Sequence, residues 1–169
     1  MQQVRPPAVA GMFYPGDPGD LAREVAAMLA DATAAAVPGM PKALIVPHAG
    51  YIYSGPIAAS AYAALAPLRE TIRRVVLLGP THRVAVRGLA VPGCEAFATP
   101  LGRVPLDREA IKAALALPQV RVSDPAHAQE HSLEVQLPFL QSVLDDFALV
   151  PLAVGEASGH EVAEVLELL

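Results

Sequence analysis

Along the chain, short runs of uniformly apolar residues alternate with stretches whose apolar positions recur at helical spacing. Leu21, Val25, Met28 and Leu29 fall on one face and Arg23, Glu24 and Asp31 on the other. This predicts an amphipathic helix over Leu21–Val37, opened near Asp17 or Asp20 and stopped by Pro38-Gly39. The runs Ala43–Pro47, Arg74–Leu78 and Phe147–Val154 lack alternation and read as strands buried on both faces. Pro56–Leu65 reads as a helix with its proline at the start. Gly88–Val91 and Glu95–Thr99, punctuated by Pro92-Gly93 and Pro100-Leu101-Gly102, read as a hairpin excursion within the stretch Val84 to Val104. Asp107 is placed to cap a helix through Leu117. The polar stretch Ser123–Glu130 leads into an apolar helix, Ser132–Leu144, bent near Pro138, and Glu161–Leu169 forms a last helix. Strands alternating with helices predict an α/β fold, a central mixed, largely parallel β-sheet flanked by helices.

Composition narrows the class. With 169 residues, 53% apolar and 17% charged, the chain is too rich in core-forming residues for disorder, and its length favours one domain spanning 1–169. No internal repeat is visible. A net charge of −5, with basic residues scattered except for Arg73-Arg74, argues against nucleic acid as a partner. Cys94 is the only cysteine, which excludes an internal disulfide and fits a reducing, cytoplasmic setting. No apolar run is long enough for a membrane span, and residues 1–7 lack the features of a signal peptide.

Candidate chemistry gathers at strand ends. His48 follows the run Ala43–Pro47 and His82 follows Arg74–Leu78. In open α/β sheets the loops leaving the carboxyl ends of strands converge on a crevice, so two neighbouring strands would bring both imidazoles to one site. That arrangement suits a metal ion or an acid–base pair; histidines satisfied by backbone hydrogen bonds are the plainer alternative. His127-Ala-Gln-Glu130-His131 spells H-x-x-E-H, the pattern of inverted zinc proteases. Pro125 and the polar flank place His127 ahead of the helix, which argues against that use. Tyr51 and Tyr53 flank the His48 loop and are candidates for the rim of a crevice or for packing. Cys94, in a Pro-Gly turn, has no histidine near it in sequence to activate it.

Four blocks carry a resemblance. Arg5-Pro-Pro-Ala-Val-Ala-Gly-Met-Phe-Tyr-Pro15, Pro47-His-Ala-Gly-Tyr-Ile-Tyr-Ser-Gly55, Leu78-Gly-Pro-Thr-His82 and Glu130-His-Ser-Leu-Glu-Val-Gln-Leu-Pro-Phe139 resemble, in this order, the Memo family. The resemblance implies a fold like that of the class III extradiol dioxygenases, non-haem iron enzymes that open catechol rings. It also implies metal ligation by His48 and His82, with Tyr53 lining the same pocket. Glu130 and His131 then belong to a signature near the site, in a catalytic or supporting role. The implied cofactor is iron(II) or copper, and the implied activity is dioxygenase-like or another redox (oxidoreductase) reaction on a small aromatic substrate. A second implied use of the pocket is non-catalytic, as a peptide or protein-interaction module for phosphopeptides. Arg83 and Arg87, beside His82 in the sequence, are candidate anion-binding groups for that use, solvated surface arginines being the plainer alternative.

The same resemblance sets an expectation about extent. Family members continue well past this length, and their later part carries a Ser-Asp block, a further histidine and a ligand cysteine. Cys94 lies between the second and last blocks and does not correspond to that cysteine. The chain is therefore expected to lack the family's C-terminal part. The apolar run Val162–Leu169, with nothing after it to pack on, predicts self-association or a missing second half.

Overall fold

The computed structural model of the protein describes residues 3–32 and 40–169, so the expected end of the first helix, 33–39, lies outside the described residues. In chain order the elements are β1 (Val4–Arg5), α1 (Pro18–Asp31), α2 (Tyr51–Tyr62), a 3-10 turn at Ala63–Leu68, β2 (Arg74–Pro80), β3 (Leu89–Val91), β4 (Ala96–Thr99) and β5 (Gly102–Pro105). Then follow α3 (Arg108–Ala114), β6 (Val120–Val122), α4 (Asp124–Ala128), a second 3-10 turn at Glu134–Gln136, α5 (Leu137–Val143), β7 (Ala148–Val154) and α6 (Gly159–Leu168).

The fold is α/β with mixed sheets flanked by helices, although the described strands divide between two sheets where the sequence predicts one. The larger has the order β2-β7-β3-β6 and the smaller β1-β4-β5. β2 and β7 run parallel from Arg74 opposite Ala148 to Pro80 opposite Val154. β3 is parallel to β6 and antiparallel to β7. In the smaller sheet β1 is parallel to β4, and β4 and β5 form the hairpin expected in this region. β3 takes no part in that hairpin and enters the larger sheet instead.

β7 is buried from Leu149 to Ala153, as its unbroken apolar run requires of an inner strand. β2 is only half-buried, because it is the outermost strand of its sheet among the described residues. The strand expected at Ala43–Pro47 does not form. Ala43, Ile45 and Pro47 are exposed, Ile45 fully (100%), whereas Leu44 and Val46 are half-buried across a groove from Tyr62, Leu65 and Val75. An extended segment covered on one side, with apolar residues on its open side as well, has the same residue pattern as a strand covered on both.

The helix ends follow local chemistry. Asp17 caps α1 by accepting the Asp20 N–H at 2.9 Å, and Leu21 and Val25 turn into the core. Asp107 caps α3 by accepting the Ala110 N–H at 2.9 Å. α2 begins at Tyr51, so Pro56 sits inside it rather than at its start. The carbonyl that loses its donor there belongs to Ile52, which is 85% exposed and accessible to water. The stretch expected as one bent helix, Ser132–Leu144, divides into the second 3-10 turn and α5, with Pro138 in the first turn of α5, where no N–H is needed.

Tyr51 and Tyr62 bracket Phe139, with ring centroids 5.0 and 5.2 Å away. α6 buries Val165 and leaves Leu166 and Leu168 about half exposed, so its apolar face is partly covered. No helix among the described residues is long and apolar enough to cross a membrane.

A tight turn leads into β3 at the end of the larger sheet where β2 and β7 finish. Gly88 has φ +81°, and a Cβ there would lie 2.1 Å from the Gln119 carbonyl oxygen. The Gly88→Ala variant is expected to lose about 3 kcal/mol, from left-handed backbone strain plus a backbone clash. Gly159→Ala, at the start of α6 with nothing within 4 Å, should be neutral or slightly stabilising. Urea denaturation of both variants checks this; equal midpoints would refute it.

Candidate metal centre

Two short loops and one extended segment bring three imidazoles together. His82 follows β2, His131 lies between α4 and the second 3-10 turn, and His48 ends the extended segment before α2. Their ring centroids are 5.3 Å (His48–His82), 5.8 Å (His48–His131) and 4.5 Å (His82–His131) apart. One nitrogen from each ring lies within 4.8 Å of the others, and no other group of this kind is found among the described residues.

Glu130 organises two of the three. Its Oε1 accepts the His131 and Ser132 N–H groups, both at 2.9 Å, and lies 2.8 Å from His82 Nδ1; its Oε2 accepts the His82 N–H at 2.6 Å. An ionised carboxylate only accepts, so His82 Nδ1 is the protonated nitrogen and Nε2 carries the free lone pair. Burial opposes the charge on Glu130. Hydrogen bonds from Ser132 and from the ring and backbone of His82 outweigh that and hold the carboxyl down at about 2, against 4.5 ordinarily.

The other rings are tuned toward neutrality. Burial lowers the pKa of His48, and neighbouring His82 lowers it further. Burial likewise lowers that of His131; Glu130 opposes the shift, while His82, His48 and Arg83 reinforce it. Unprotonated imidazole is the form that binds metal. The Phe13 ring lies 4.7 Å from that of His131. His48 is carried between the Pro47 carbonyl, which accepts the Gln136 side-chain amide at 3.0 Å, and the Ala49 carbonyl, which accepts the Ser54 hydroxyl at 3.0 Å.

A second carboxylate locks the N-terminal segment against this region. Glu134 is fully buried and accepts from Arg5 Nη1 (2.6 Å), the Ala8 and Val9 N–H groups (2.8 and 2.9 Å) and the Tyr14 hydroxyl (2.6 Å). Burial and the Glu134 charge both raise the Tyr14 pKa, so the phenol stays a donor. Arg5 also donates to the carbonyls of His127 and Glu130, at 2.7 and 2.8 Å.

The structure thus brings together the predicted ligands His48 and His82 with Glu130 and His131. It sorts the other candidates differently. Tyr53 is 82% exposed, and Tyr51 is a core residue whose hydroxyl donates to the Val135 carbonyl at 2.8 Å. His127 lies ahead of the apolar 132–144 stretch, as expected, but in a short helix of its own, α4, and is 2% exposed; its Nε2 is bonded to the Ala90 carbonyl. The H-x-x-E-H pattern therefore does not place its two histidines on one metal. Cys94 is a buried free thiol lining a different cleft. Residue spacing alone does not reveal that His131 completes a trio, nor that Glu134 clamps the N-terminus. The signal for both is the pair of glutamates in Glu130-His-Ser-Leu-Glu134, acidic residues amid an apolar stretch.

An α/β protein with histidines gathered where a sheet strand ends is the class that fold and site define together. The chain belongs to the Memo family: the family model for the Memo-like protein matches residues 5–169. Among MEMO1 family proteins, it is 45% identical to one from Ignicoccus hospitalis over 166 residues, covering 89% of this chain and 56% of that one. It is 41% identical to the Aquifex aeolicus protein (96% of this chain, 58% of that one) and 37% identical to the Thermotoga neapolitana protein (92% and 59%). The chain therefore spans under two thirds of the length of these curated relatives.

Proposed function

We propose that the chain binds a transition-metal ion, iron(II) or copper, through His48, His82 and His131. The observation that carries this reading is the trio of ring nitrogens within 4.8 Å of one another. Three imidazoles suit a borderline first-row metal, and they leave coordination positions open. Glu130 stands apart from the trio: its side chain is 1% exposed and is engaged by four N–H contacts from His82, His131 and Ser132. Its part is to fix the His82 tautomer and ring orientation and to place a balancing negative charge beside the trio.

When bound, the metal supplies Lewis acidity and one-electron chemistry, the basis of a dioxygenase-like or other redox reaction on a small aromatic substrate. The chain's own residues shape the approach. Phe13 flanks His131 with an aromatic face, and Ile52 and Tyr53, in the first turn of α2, lie two to three residues beyond the Gly50 cap of that helix and close in sequence to His48. Arg83 adds positive potential near His131, favouring an anionic or phenolate-bearing ligand.

Elemental analysis of protein purified anaerobically without added metal, then loaded with iron(II) or copper, tests the reading. About one equivalent is expected per chain. The double variant His48→Ala, His82→Ala should lose it, and His127→Ala should retain it. Unchanged metal content in the double variant would overturn the assignment.

A further inference from the structure

His127 is the histidine of the H-x-x-E-H pattern that the trio leaves out. Its Nε2 lies 2.9 Å from the Ala90 carbonyl of β3, and because a carbonyl only accepts, Nε2 carries the proton and Nδ1 is a bare acceptor. Nδ1 is buried with no hydrogen-bond partner, the sole side-chain nitrogen or oxygen among the described residues in that condition. A buried acceptor without a donor bears the full desolvation penalty, so the site is complete only when something donates to it. Burial also pulls the pKa of the ring down to about 4, so it does not resolve the problem by taking up a second proton at neutral pH.

With Nε2 directed at β3, Nδ1 points away from that strand. His127 also lines a cleft of about 510 Å³, walled by Pro6, Pro92 and Pro125 together with Cys94, with the exposed Asp124 at its rim. That volume is in the range of small-molecule sites. Apart from its apolar walls and the Gln129 amide at its exposed rim, the cleft offers acceptors. Asp124 Oδ1 takes the Gly93 N–H at 2.6 Å, and Oδ2 has no protein partner among the described residues. The Arg5 guanidinium reaches the same cleft but is committed to Glu134 and to the carbonyls of His127 and Glu130. A complementary ligand therefore brings N–H donors, a positive charge opposite Asp124 and an apolar body for the proline walls.

We propose that this cleft, separate from the three-histidine centre, binds a small organic cation of the amidinium or primary-ammonium class, whose N–H groups donate to His127 Nδ1 and to the Asp124 carboxylate. Nδ1 itself is closed to solvent, so the ligand reaches it through a shift of the exposed rim formed by Asp124 and Gln129.

Benzamidine titrated into the ¹⁵N-labelled 169-residue chain, with the histidine ring nitrogens followed by NMR, tests the proposal. The expected result is a saturable upfield displacement of the His127 Nδ1 resonance that uncharged benzamide does not reproduce. Asp124→Asn keeps an acceptor for the Gly93 N–H and should fold. In that variant the benzamidine affinity should fall about tenfold or more, as befits loss of a charge-assisted contact. An Nδ1 resonance unmoved at about 10 mM benzamidine would overturn the site. So would equal responses to benzamidine and benzamide, or equal affinities of wild type and Asp124→Asn. A resonance already at its hydrogen-bonded position in the free protein and insensitive to benzamidine would assign the cleft to a resident water and likewise overturn the proposal.

Discussion

Replacing Glu134 by alanine is expected to cost the fold about 4 kcal/mol, the range found when one partner of a buried ion pair is removed. The loss exceeds that of one contact because Arg5, whose side chain is 6% exposed, would be left as an unpaired buried cation. The N–H groups of Ala8 and Val9 and the Tyr14 hydroxyl lose their acceptor in the same step. For a chain of this length the midpoint of thermal unfolding should fall by roughly 8–16 °C. Glu134→Gln should cost less, since its amide oxygen still accepts. The double variant Arg5→Met, Glu134→Leu should recover only the part due to the unpaired charge, because the Ala8 and Val9 N–H groups, the Tyr14 hydroxyl and the His127 and Glu130 carbonyls still lack partners. Calorimetry on the three variants decides the matter; a Glu134→Ala cost below about 1 kcal/mol would show that the clamp adds little.

Glu130→Gln carries the second large effect, and it separates function from stability. A glutamine oxygen can keep the N–H groups now on Oε1, but its amide nitrogen then faces the His82 N–H, donor against donor. His82 Nδ1 also loses its anionic partner. On the proposed reading, metal affinity should fall roughly 10- to 100-fold, the usual consequence of removing the group that orients a ligating histidine. A competition titration with a chelator measures this, and an affinity unchanged within a factor of two would exclude the orienting role.

The same variant has a pH signature. The Glu130 carboxyl is held at about 2 in the folded protein against 4.5 ordinarily. Its contribution is therefore fully present above about pH 4.5 and is lost as the pH falls toward 2, on the order of 3 kcal/mol over that window. Urea denaturation between pH 5 and about 2 should show a steeper decline for the wild type than for Glu130→Gln. Parallel curves would mean that other carboxylates carry the acid sensitivity.

The parts of the molecule that were legible in the sequence are those fixed by neighbours along the chain. Asp17 and Asp107 cap the helices they precede, and the apolar runs at 74–80 and 148–154 form strands, because caps and unbroken apolar runs act locally. His48 and His82 do meet, each following an apolar run, but not by the route the sequence suggests, since the first run forms no strand beside β2. The rest depends on partners distant in sequence. Glu130 reaches back 48 residues to His82, and Glu134 reaches back 129 to Arg5, so neither role shows in any local window. Ala43–Pro47 has the sequence of a buried strand and forms none, because its residues are apolar on both sides while only one side is covered. Pro56 sits inside α2 rather than at its start, on a turn whose Ile52 is exposed, which relaxes the penalty that normally keeps proline at a helix start.

The mounting of the three imidazoles is unequal. His82 is held by one carboxylate through both its ring and its backbone N–H, and the same carboxylate accepts the His131 backbone N–H, so these two residues are joined by a short bracket. His48 rides on an extended arm that joins no sheet and is tied to the body through side-chain bonds to the carbonyls of Pro47 and Ala49. Two rings thus act as a fixed jaw and the third as a sprung one. On the proposed metal-binding reading, ions of different radius would be accommodated by travel of His48, so the compliance of that arm would join the donor set in deciding how sharply the centre discriminates among metals.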